Sequence, residues 1–122
     1  MNKIKKEIEQ HMIYVNRQDR TLNSRFMFPD TFIGFQGHFP KNKILPGVCQ
    51  IQCALSTLER AIQKSVELRE VTLAKYFVPV LPGEEITCFC SDISDEDEFT
   101  FKTIITRGSK VAELKLRVAL LL

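Results

Sequence analysis

The sequence predicts an α+β fold in which a curved antiparallel sheet wraps around one long central helix. The clearest helical periodicity in the chain begins after Pro46 and Gly47, where apolar residues recur at steps of three and four as far as Lys64. The chain beyond this helix is rich in β-branched and aromatic residues and is divided by turn-like segments, which is typical of consecutive strands. A further strand is predicted before the helix.

The chain before the central helix contains a predicted helix, a predicted strand and a loop. Apolar residues at helical spacing predict an amphipathic helix over residues 3–15: Ile4, Ile8, Met12 and Val15. Apolar and polar residues alternate over residues 21–28, which predicts a half-buried strand that ends before Pro29. The loop over residues 32–40 contains glycines but is too apolar to be a simple exposed loop, so we expect it to pack against the protein.

The central helix is predicted to be largely buried, because small and apolar side chains surround its apolar stripe. Strands are predicted after it at residues 70–80, 84–92, 99–107 and 110–122. The segments between them have turn-like sequences: Leu81 to Glu84, the acidic run from Ser91 to Glu98, and a tight hairpin from Arg107 to Lys110.

Composition indicates an ordinary globular protein. The chain has 122 residues, 44% of them hydrophobic and 26% charged, which fits a single domain over residues 1–122. The formal charge of +2 is spread over interleaved acids and bases, so nucleic acid is not an expected partner. Neither a secretory signal nor a run of about 18 apolar residues is found. We therefore expect a cytoplasmic protein without a membrane span.

The four cysteines are predicted to be reduced. Cys49 and Cys53 are four apart on the predicted central helix, and Cys88 and Cys90 are two apart on a predicted strand. Neither spacing is that of a zinc knuckle, so we interpret the cysteines as small buried hydrophobes and expect no metal. A thiol near the start of the central helix could alternatively have a lowered pKa and act as a nucleophile.

Two motifs indicate a family. The segment Gly37-His38-Phe39-Pro40 followed by Ile44-Leu45-Pro46-Gly47-Val48, and then the stretch from Ala74 to Glu84, resemble the FabA/FabZ-type β-hydroxyacyl-ACP dehydratases. The resemblance covers about residues 21–122, with residues 1–20 as an N-terminal helical extension outside it. It implies the hotdog fold, a homodimer or larger oligomer, an acyl thioester substrate, and no organic cofactor or metal.

The start of the central helix has the chemistry of an oxyanion site. A helix that begins at Pro46 leaves the backbone N–H groups of Gly47 and Val48 without intrahelical partners. These groups can donate to a thioester oxygen and stabilise the enolate that forms when the adjacent carbon loses a proton. Glycine at position 47 allows close approach.

The resemblance assigns the base that removes this proton to His38, and it places Phe39 among the substrate-binding residues. A neutral imidazole with a pKa near ~6.5 suits such proton transfer. The alternative is a histidine that only fixes its loop through hydrogen bonds.

The acid position departs from the family. In the family a Glu or Asp of the central helix, contributed by the other protomer, protonates the leaving hydroxyl, but the corresponding residue here is Gln52. Glutamine can hold a hydroxyl, yet it has no titratable proton to deliver. One turn later, where the family often has a glutamine, the chain has Ser56, and we predict that both residues share one helix face and contact substrate. No replacement acid stands out in the sequence, since Asp30 precedes the loop and Glu59 lies seven residues along the helix from Gln52. An engineered substrate trap and a natural divergence both remain open.

The sequence supports three functional hypotheses. The first is a FabZ-like dehydratase that converts a 3-hydroxyacyl thioester of acyl carrier protein or coenzyme A to a trans-2-enoyl thioester. The second is a weakly active or inactive acyl-thioester-binding partner of a related dehydratase. The third is a hotdog thioesterase, which the histidine motif disfavours. Lys41, Lys43 and Lys75 are candidates for steering an acidic carrier protein towards the site.

Overall fold

The structure, a computed structural model, describes residues 2–36 and 42–121. In these ranges the chain forms helices α1 (Asn2–Gln10) and α2 (Gly47–Ile62), a short 3₁₀ turn (Ile33–Phe35) and strands β1 (Met12–Gln18), β2 (Thr21–Met27), β3 (Val66–Tyr76), β4 (Glu85–Ser91), β5 (Glu98–Arg107) and β6 (Ser109–Leu120). Neither described helix combines the length and the apolar character needed to cross a membrane.

All described strands belong to one antiparallel sheet in the order β1-β2-β4-β5-β6-β3. The predicted hairpin between β5 and β6 is confirmed, with Gly108 at a φ of 75° in its turn. The segment between β3 and β4 is not a hairpin, although its sequence is turn-like. β3 pairs with β6 at one edge, while β4 lies between β2 and β5, so this segment crosses from the edge to the interior of the sheet.

Helix α2 packs against the sheet and contacts β1, β2, β3 and β4. Nine of its 16 residues are buried, including Cys53, Ala54 and Leu58 with no exposed area, so the helix is largely buried as predicted. The predicted apolar stripe is covered unevenly, because Val48 at its start is 52% exposed. The helix ends at Gln63, which adopts a left-handed conformation with a φ of 58° and donates its N–H to the Glu59 carbonyl at 2.9 Å. The central helix and the hotdog architecture are therefore confirmed.

The prediction of one helix over residues 3–15 is wrong in its second half. Helix α1 ends at Gln10, and Met12–Gln18 forms edge strand β1 paired with β2. Ile4 and Ile8 remain on the face of α1 that meets the core. The spacing of Met12 and Val15 imitates a further helical turn, but pairing with β2 satisfies the backbone groups of this segment instead.

Strand β3 begins and ends four residues earlier than predicted. It starts immediately after α2, where the Val66 N–H donates to Glu59 Oε2 at 2.8 Å. It ends at Tyr76, three residues before Pro79, which has no N–H to donate to a ladder. Residues 77–80 instead run past the start of α2, where the Val80 carbonyl accepts the Leu45 N–H at 2.8 Å.

The described part of the aromatic loop, residues 32–36, packs against the protein as expected. The Phe32 ring has no exposed area and lies 4.6 Å from the Phe28 ring and 5.5 Å from the Phe35 ring, measured between centroids. Phe26 continues this cluster, with its centroid 5.9 Å from that of Phe28. These contacts anchor the chain immediately before the histidine motif.

A buried chain of hydroxyls fixes α2 to β2. The Thr57 hydroxyl donates to the Cys53 carbonyl at 2.7 Å, so the Ser24 hydroxyl, 2.7 Å away, is the donor to Thr57 Oγ1. Neither side chain has any exposed area.

Replacing Thr57 with valine is expected to lower the free energy of unfolding by about 1–3 kcal/mol, because the buried Ser24 hydroxyl would lose its oxygen acceptor. Denaturant unfolding measures this loss. The double variant Ser24→Ala/Thr57→Val should lose less than the sum of the single losses, since it leaves no orphaned hydroxyl. Strict additivity would contradict the assigned hydrogen bond.

Candidate active site

Helix α2 begins with open backbone donors. Pro46 precedes the first helical residue with an extended backbone and makes no side-chain cap. The Pro46 carbonyl accepts from the N–H groups of Cys49 at 3.0 Å and Gln50 at 3.2 Å. Among residues 2–36 and 42–121, no acceptor lies within hydrogen-bond distance of the N–H groups of Gly47 and Val48. These two groups stand at the positive end of a 16-residue helix, where an anionic oxygen is favoured.

Tyr76 holds this helix start from the end of β3, and nothing in the sequence pattern singles it out. Its hydroxyl donates to the Gly47 carbonyl at 3.1 Å. A Cβ atom at position 47 would lie 2.7 Å from the Tyr76 hydroxyl oxygen, so the tyrosine ring occupies the space of a side chain there. Partial burial raises the pKa of Tyr76 above its ordinary value. The absence of a side chain at Gly47 thus makes room for the Tyr76 ring. From the sequence alone, we expect this space to serve the close approach of a ligand.

Gln52 and Ser56 lie one helical turn apart and are bonded to each other. Gln52 Nε2 donates to Ser56 Oγ at 2.9 Å, and the side chains are 8% and 2% exposed. The side-chain oxygen of Gln52, Oε1, has no hydrogen-bond partner within the described ranges. The serine therefore fixes one end of the carboxamide and leaves its acceptor available to another molecule.

A groove of about 380 Å³ lies beside the helix start, between residues 44–47 and residues 76–79. Its walls are mostly apolar, with Phe77 51% exposed and Ile44 40% exposed. Gln50 lies on its inner side and donates to the Leu45 carbonyl at 3.4 Å. Val48 is 52% exposed on the neighbouring helix surface, so its side chain is open to a ligand or to another subunit.

Gly47 and Val48 lie at the start of α2, while Gln52 and Ser56 lie about one and a half and two and a half turns further along the same helix. His38, Phe39 and Lys41 lie outside the described residues, so their predicted roles stay predictions.

The two carboxylates considered as replacement acids are already engaged. Asp30 pairs with Lys43, with Oδ2 and Nζ 2.9 Å apart. Glu59 Oε1 pairs with Lys5 Nζ at 3.0 Å, while Oε2 accepts the Val66 N–H at 2.8 Å. Within the described part of the chain, no carboxylate forms a hydrogen bond with the residue at the acid position.

The cysteines are buried thiols. Burial raises the pKa of Cys49 to about 11, and it also raises the pKa values of Cys53, Cys88 and Cys90. A thiol with a raised pKa stays protonated near neutral pH, so the packing interpretation is favoured over a nucleophile. In the ranges that the structure covers, no group of three or more His, Cys, Asp or Glu side chains is placed to hold a metal ion.

A cluster of lysines surrounds Glu113 on β6. Lys102 Nζ and Lys110 Nζ lie 3.3 and 3.7 Å from its carboxylate oxygens. A hydrogen bond from Lys102, with the charges of Lys110, Lys102 and Lys75, lowers the pKa of Glu113. The Lys110 ammonium also lies 5.7 Å from the centroid of the exposed Phe77 ring. One carboxylate among three ammonium groups leaves this surface positive.

The chain resembles proteins of known structure over nearly its whole length. It superimposes on a chain of the dehydratase heterocomplex ApeI:P from Xenorhabdus doucetiae with a TM-score of 0.73 and 18% identity, covering 88% of this chain and 96% of that one. The Escherichia coli PaaI protein, from the phenylacetic acid degradation operon, gives a TM-score of 0.69 at 10% identity, with coverage of 97% and 88%. At these identities the likeness establishes the hotdog fold alone.

Sequence relatives point to dehydratases. A 3-hydroxyacyl-(acyl-carrier-protein) dehydratase FabZ of Ehrlichia chaffeensis is 39% identical over an alignment of 57 residues, and the match covers 43% of this chain and 40% of the relative. The FabZ of Caulobacter sp. K31 is 34% identical over an alignment of 93 residues, and the match covers 64% of this chain and 54% of the relative. The chain thus spans about half the length of these curated relatives or less.

The family comparison covers most of the chain. The family model for ApeI-like proteins, described as ApeI dehydratase, matches residues 14–115 of the 122. This span contains most of β1 and of β6, all of β2 to β5 and of α2, and the histidine motif. The chain therefore belongs to the ApeI-like dehydratase family.

Proposed function

We propose that the protein acts as a FabZ-like dehydratase on 3-hydroxyacyl thioesters of acyl carrier protein or coenzyme A and forms trans-2-enoyl thioesters. The observation that carries this proposal is the open start of α2, where the Gly47 and Val48 N–H groups have no acceptor in the described ranges. Such a pair of donors is suited to a carbonyl oxygen that gains negative charge during the reaction.

The proposed reaction is an elimination of water. His38 takes a proton from C2 of the acyl group, and the two helix-start amides hold the thioester oxygen as the enolate forms. The C3–O bond then breaks, the C2–C3 double bond forms, and the departing hydroxyl takes up a proton to leave as water. Gln52 of the partner subunit contacts that hydroxyl, as the family resemblance implies, but its carboxamide has no acidic proton to give. The final proton then comes from solvent, and the reaction is slow.

A dimer through the free edge of β3 fits the proposal. Among the described strands, β3 is the last of the sheet and pairs with β6 alone. Its other edge, 11 residues long, favours pairing with another strand. Antiparallel pairing of two copies about Val71 would set Glu67 of each copy, four residues before the centre, opposite Lys75 of the other, four residues after it. Opposite charges across strands favour this register.

The proposed carrier is acyl carrier protein, docked at the lysine cluster around Glu113. A positive surface favours association with an acidic partner. The FabZ relatives are named for acting on acyl-carrier-protein substrates, which agrees with this choice.

A second candidate function is that of a non-catalytic partner of a related dehydratase. The bonded pair Gln52 and Ser56 favours it, because an amide replaces the acid and a serine fills the position beside it. The ApeI:P neighbour is itself named a dehydratase heterocomplex. In this case the chain alone would bind acyl thioesters without turnover, and activity would appear on mixing with a carboxylate-bearing partner.

The dehydratase proposal is tested by the turnover of 3-hydroxybutyryl and crotonyl thioesters of acyl carrier protein or coenzyme A by the purified protein. Replacing His38 with alanine is expected to lower the rate by about 10²–10⁴, the usual contribution of a general base. His11→Ala is the matched control, since the ring of His11 packs edge-on against Phe28 and Phe32, and its rate should equal that of the wild type. Equal rates for both variants would remove His38 from the mechanism.

A further inference from the structure

A second cavity, of about 400 Å³, lies between α1 and the C-terminal half of α2. Its lining includes Lys5, Glu9, Ser56, Glu59, Arg60 and Lys64. Ser56 is the most buried of these residues, at 2% exposed, while Arg60 and Lys64 lie at the open side. The cavity therefore runs from a buried hydroxyl outwards to charged side chains.

Ser56 connects this cavity to the candidate active site. Ser56 Oγ accepts a hydrogen bond from Gln52 Nε2 at 2.9 Å, so the hydroxyl proton of Ser56 is free for another acceptor. No such acceptor is found for it in residues 2–36 and 42–121. A ligand that reaches Gln52 thus has a polar compartment next to it, with a hydroxyl donor at the boundary.

The charges of the cavity favour an anion. The Glu59 carboxylate is neutralised by Lys5 at 3.0 Å and accepts a backbone N–H with its second oxygen. Arg60 and Lys64 form no ion pair with any carboxylate of the described residues, and Arg60 donates only to the Glu9 backbone carbonyl, at 3.5 Å. With Glu9 as the remaining carboxylate, two cations face one anion.

We infer that this cavity receives the distal end of the acyl group, and that this end carries a carboxylate. The inference rests on the proposed function, because it takes the thioester to be bound beside Gln52. A hydrocarbon tail would strip water from charged and hydroxyl groups without replacing their hydrogen bonds, which is costly. A terminal carboxylate accepts from Ser56, Arg60 or Lys64 and replaces those bonds.

Binding of two matched ligands tests the inference. The ligands are pantetheine amides of equal chain length, prepared over a series of lengths, in which nitrogen replaces the thioester sulfur and the acyl group ends in either a carboxylate or a methyl. Calorimetry on the full chain should show that the carboxylate form binds about five- to tenfold more tightly at the best length, the size of a partly screened charge-assisted hydrogen bond. The double variant Arg60→Gln/Lys64→Gln should bring this ratio to about one.

The control variant is Lys6→Gln/Lys115→Gln, which removes the same total charge from exposed positions outside the cavity lining and should keep the preference. Equal binding of the two amides by the unmodified chain, or a preference for the methyl form, overturns the inference and leaves the proposed function standing. A preference that both double variants reduce equally also overturns it, because it then reflects net charge alone. If neither amide binds at any length, the proposed function and the inference fail together.

Discussion

Replacing Gln52 with glutamate is expected to raise the rate of 3-hydroxyacyl thioester dehydration by about 10²–10⁴, because the variant gains a general acid at the position that lacks one. The new carboxyl would occupy the place of the carboxamide, within reach of the Ser56 hydroxyl, and so would be held in a fixed orientation. Formation or hydration of the enoyl thioester, followed by its absorbance, measures the gain.

The pH dependence gives this prediction a second readout. A carboxyl at a position only 8% exposed has its pKa raised by desolvation, so its protonated form persists to higher pH than that of an exposed glutamate. The rate of dehydration by Gln52→Glu should fall as the pH rises through that pKa, because the carboxyl loses the proton that it donates. The dehydration rate of the wild type should not show this fall.

Gln50→Glu is the matched control for Gln52→Glu. Gln50 is also a buried glutamine of α2, at 3% exposed, but it faces the groove beside Tyr76. A glutamate there should not accelerate the reaction. The acid position is wrongly assigned if both variants gain equally, or if Gln52→Glu stays inert while binding substrate. Loss of the gain in Gln52→Glu/His38→Ala would show that acid and base act together.

Replacing Gly34 with alanine is expected to lower the free energy of unfolding by about 1–3 kcal/mol and the Tm by several degrees. The new Cβ would lie 2.3 Å from Cε2 of Phe32 and 3.0 Å from the Cys49 sulfur. Phe32 cannot move aside, since its ring is enclosed by the rings of Phe28 and Phe35. At an unstrained position, a glycine-to-alanine change stabilises a protein by about 0.4–1 kcal/mol, because it lowers the conformational entropy of the unfolded state. At Gly34 the steric overlap outweighs this gain, so the change is expected to destabilise the protein.

A double-mutant cycle separates this overlap from other effects of the alanine. Phe32→Leu removes the ring atoms that the new Cβ meets, so Gly34→Ala should cost less in the Phe32→Leu background than in the wild type. Thermal and denaturant unfolding of the four proteins measure the coupling. If Gly34→Ala lowers the free energy of unfolding equally in both backgrounds, the destabilisation does not come from overlap with the Phe32 ring.

The elements that the sequence predicts well are those with strong local signals. The long run of apolar residues after Pro46 predicts α2, and Gly108 predicts the β5–β6 turn. The position of β3 beside β6 depends instead on contacts distant in the chain, which local periodicity does not report. The sequence does not predict β1 for a related reason, because the apolar residues of this strand also fit a helical spacing and only pairing with β2 decides between helix and strand.

The candidate site divides in the same way. Gln52 and Ser56 are four apart on one helix, so their contact follows from helical geometry alone. Tyr76 meets Gly47 from 29 residues away, and the charged cavity forms only when α1 packs against α2. Neither has a counterpart in sequence spacing.

The strand order of the sheet also sets a sequence of events during synthesis. β3 leaves the ribosome before β4, β5 and β6, yet its partner in the sheet is the last of these. Its backbone groups therefore stay unpaired until the C-terminal strand is complete, while β4, β5 and β6 can assemble as a local meander. A chain released early, without Ser109–Leu120, would present both long edges of β3 to other molecules and is expected to aggregate or to engage chaperones.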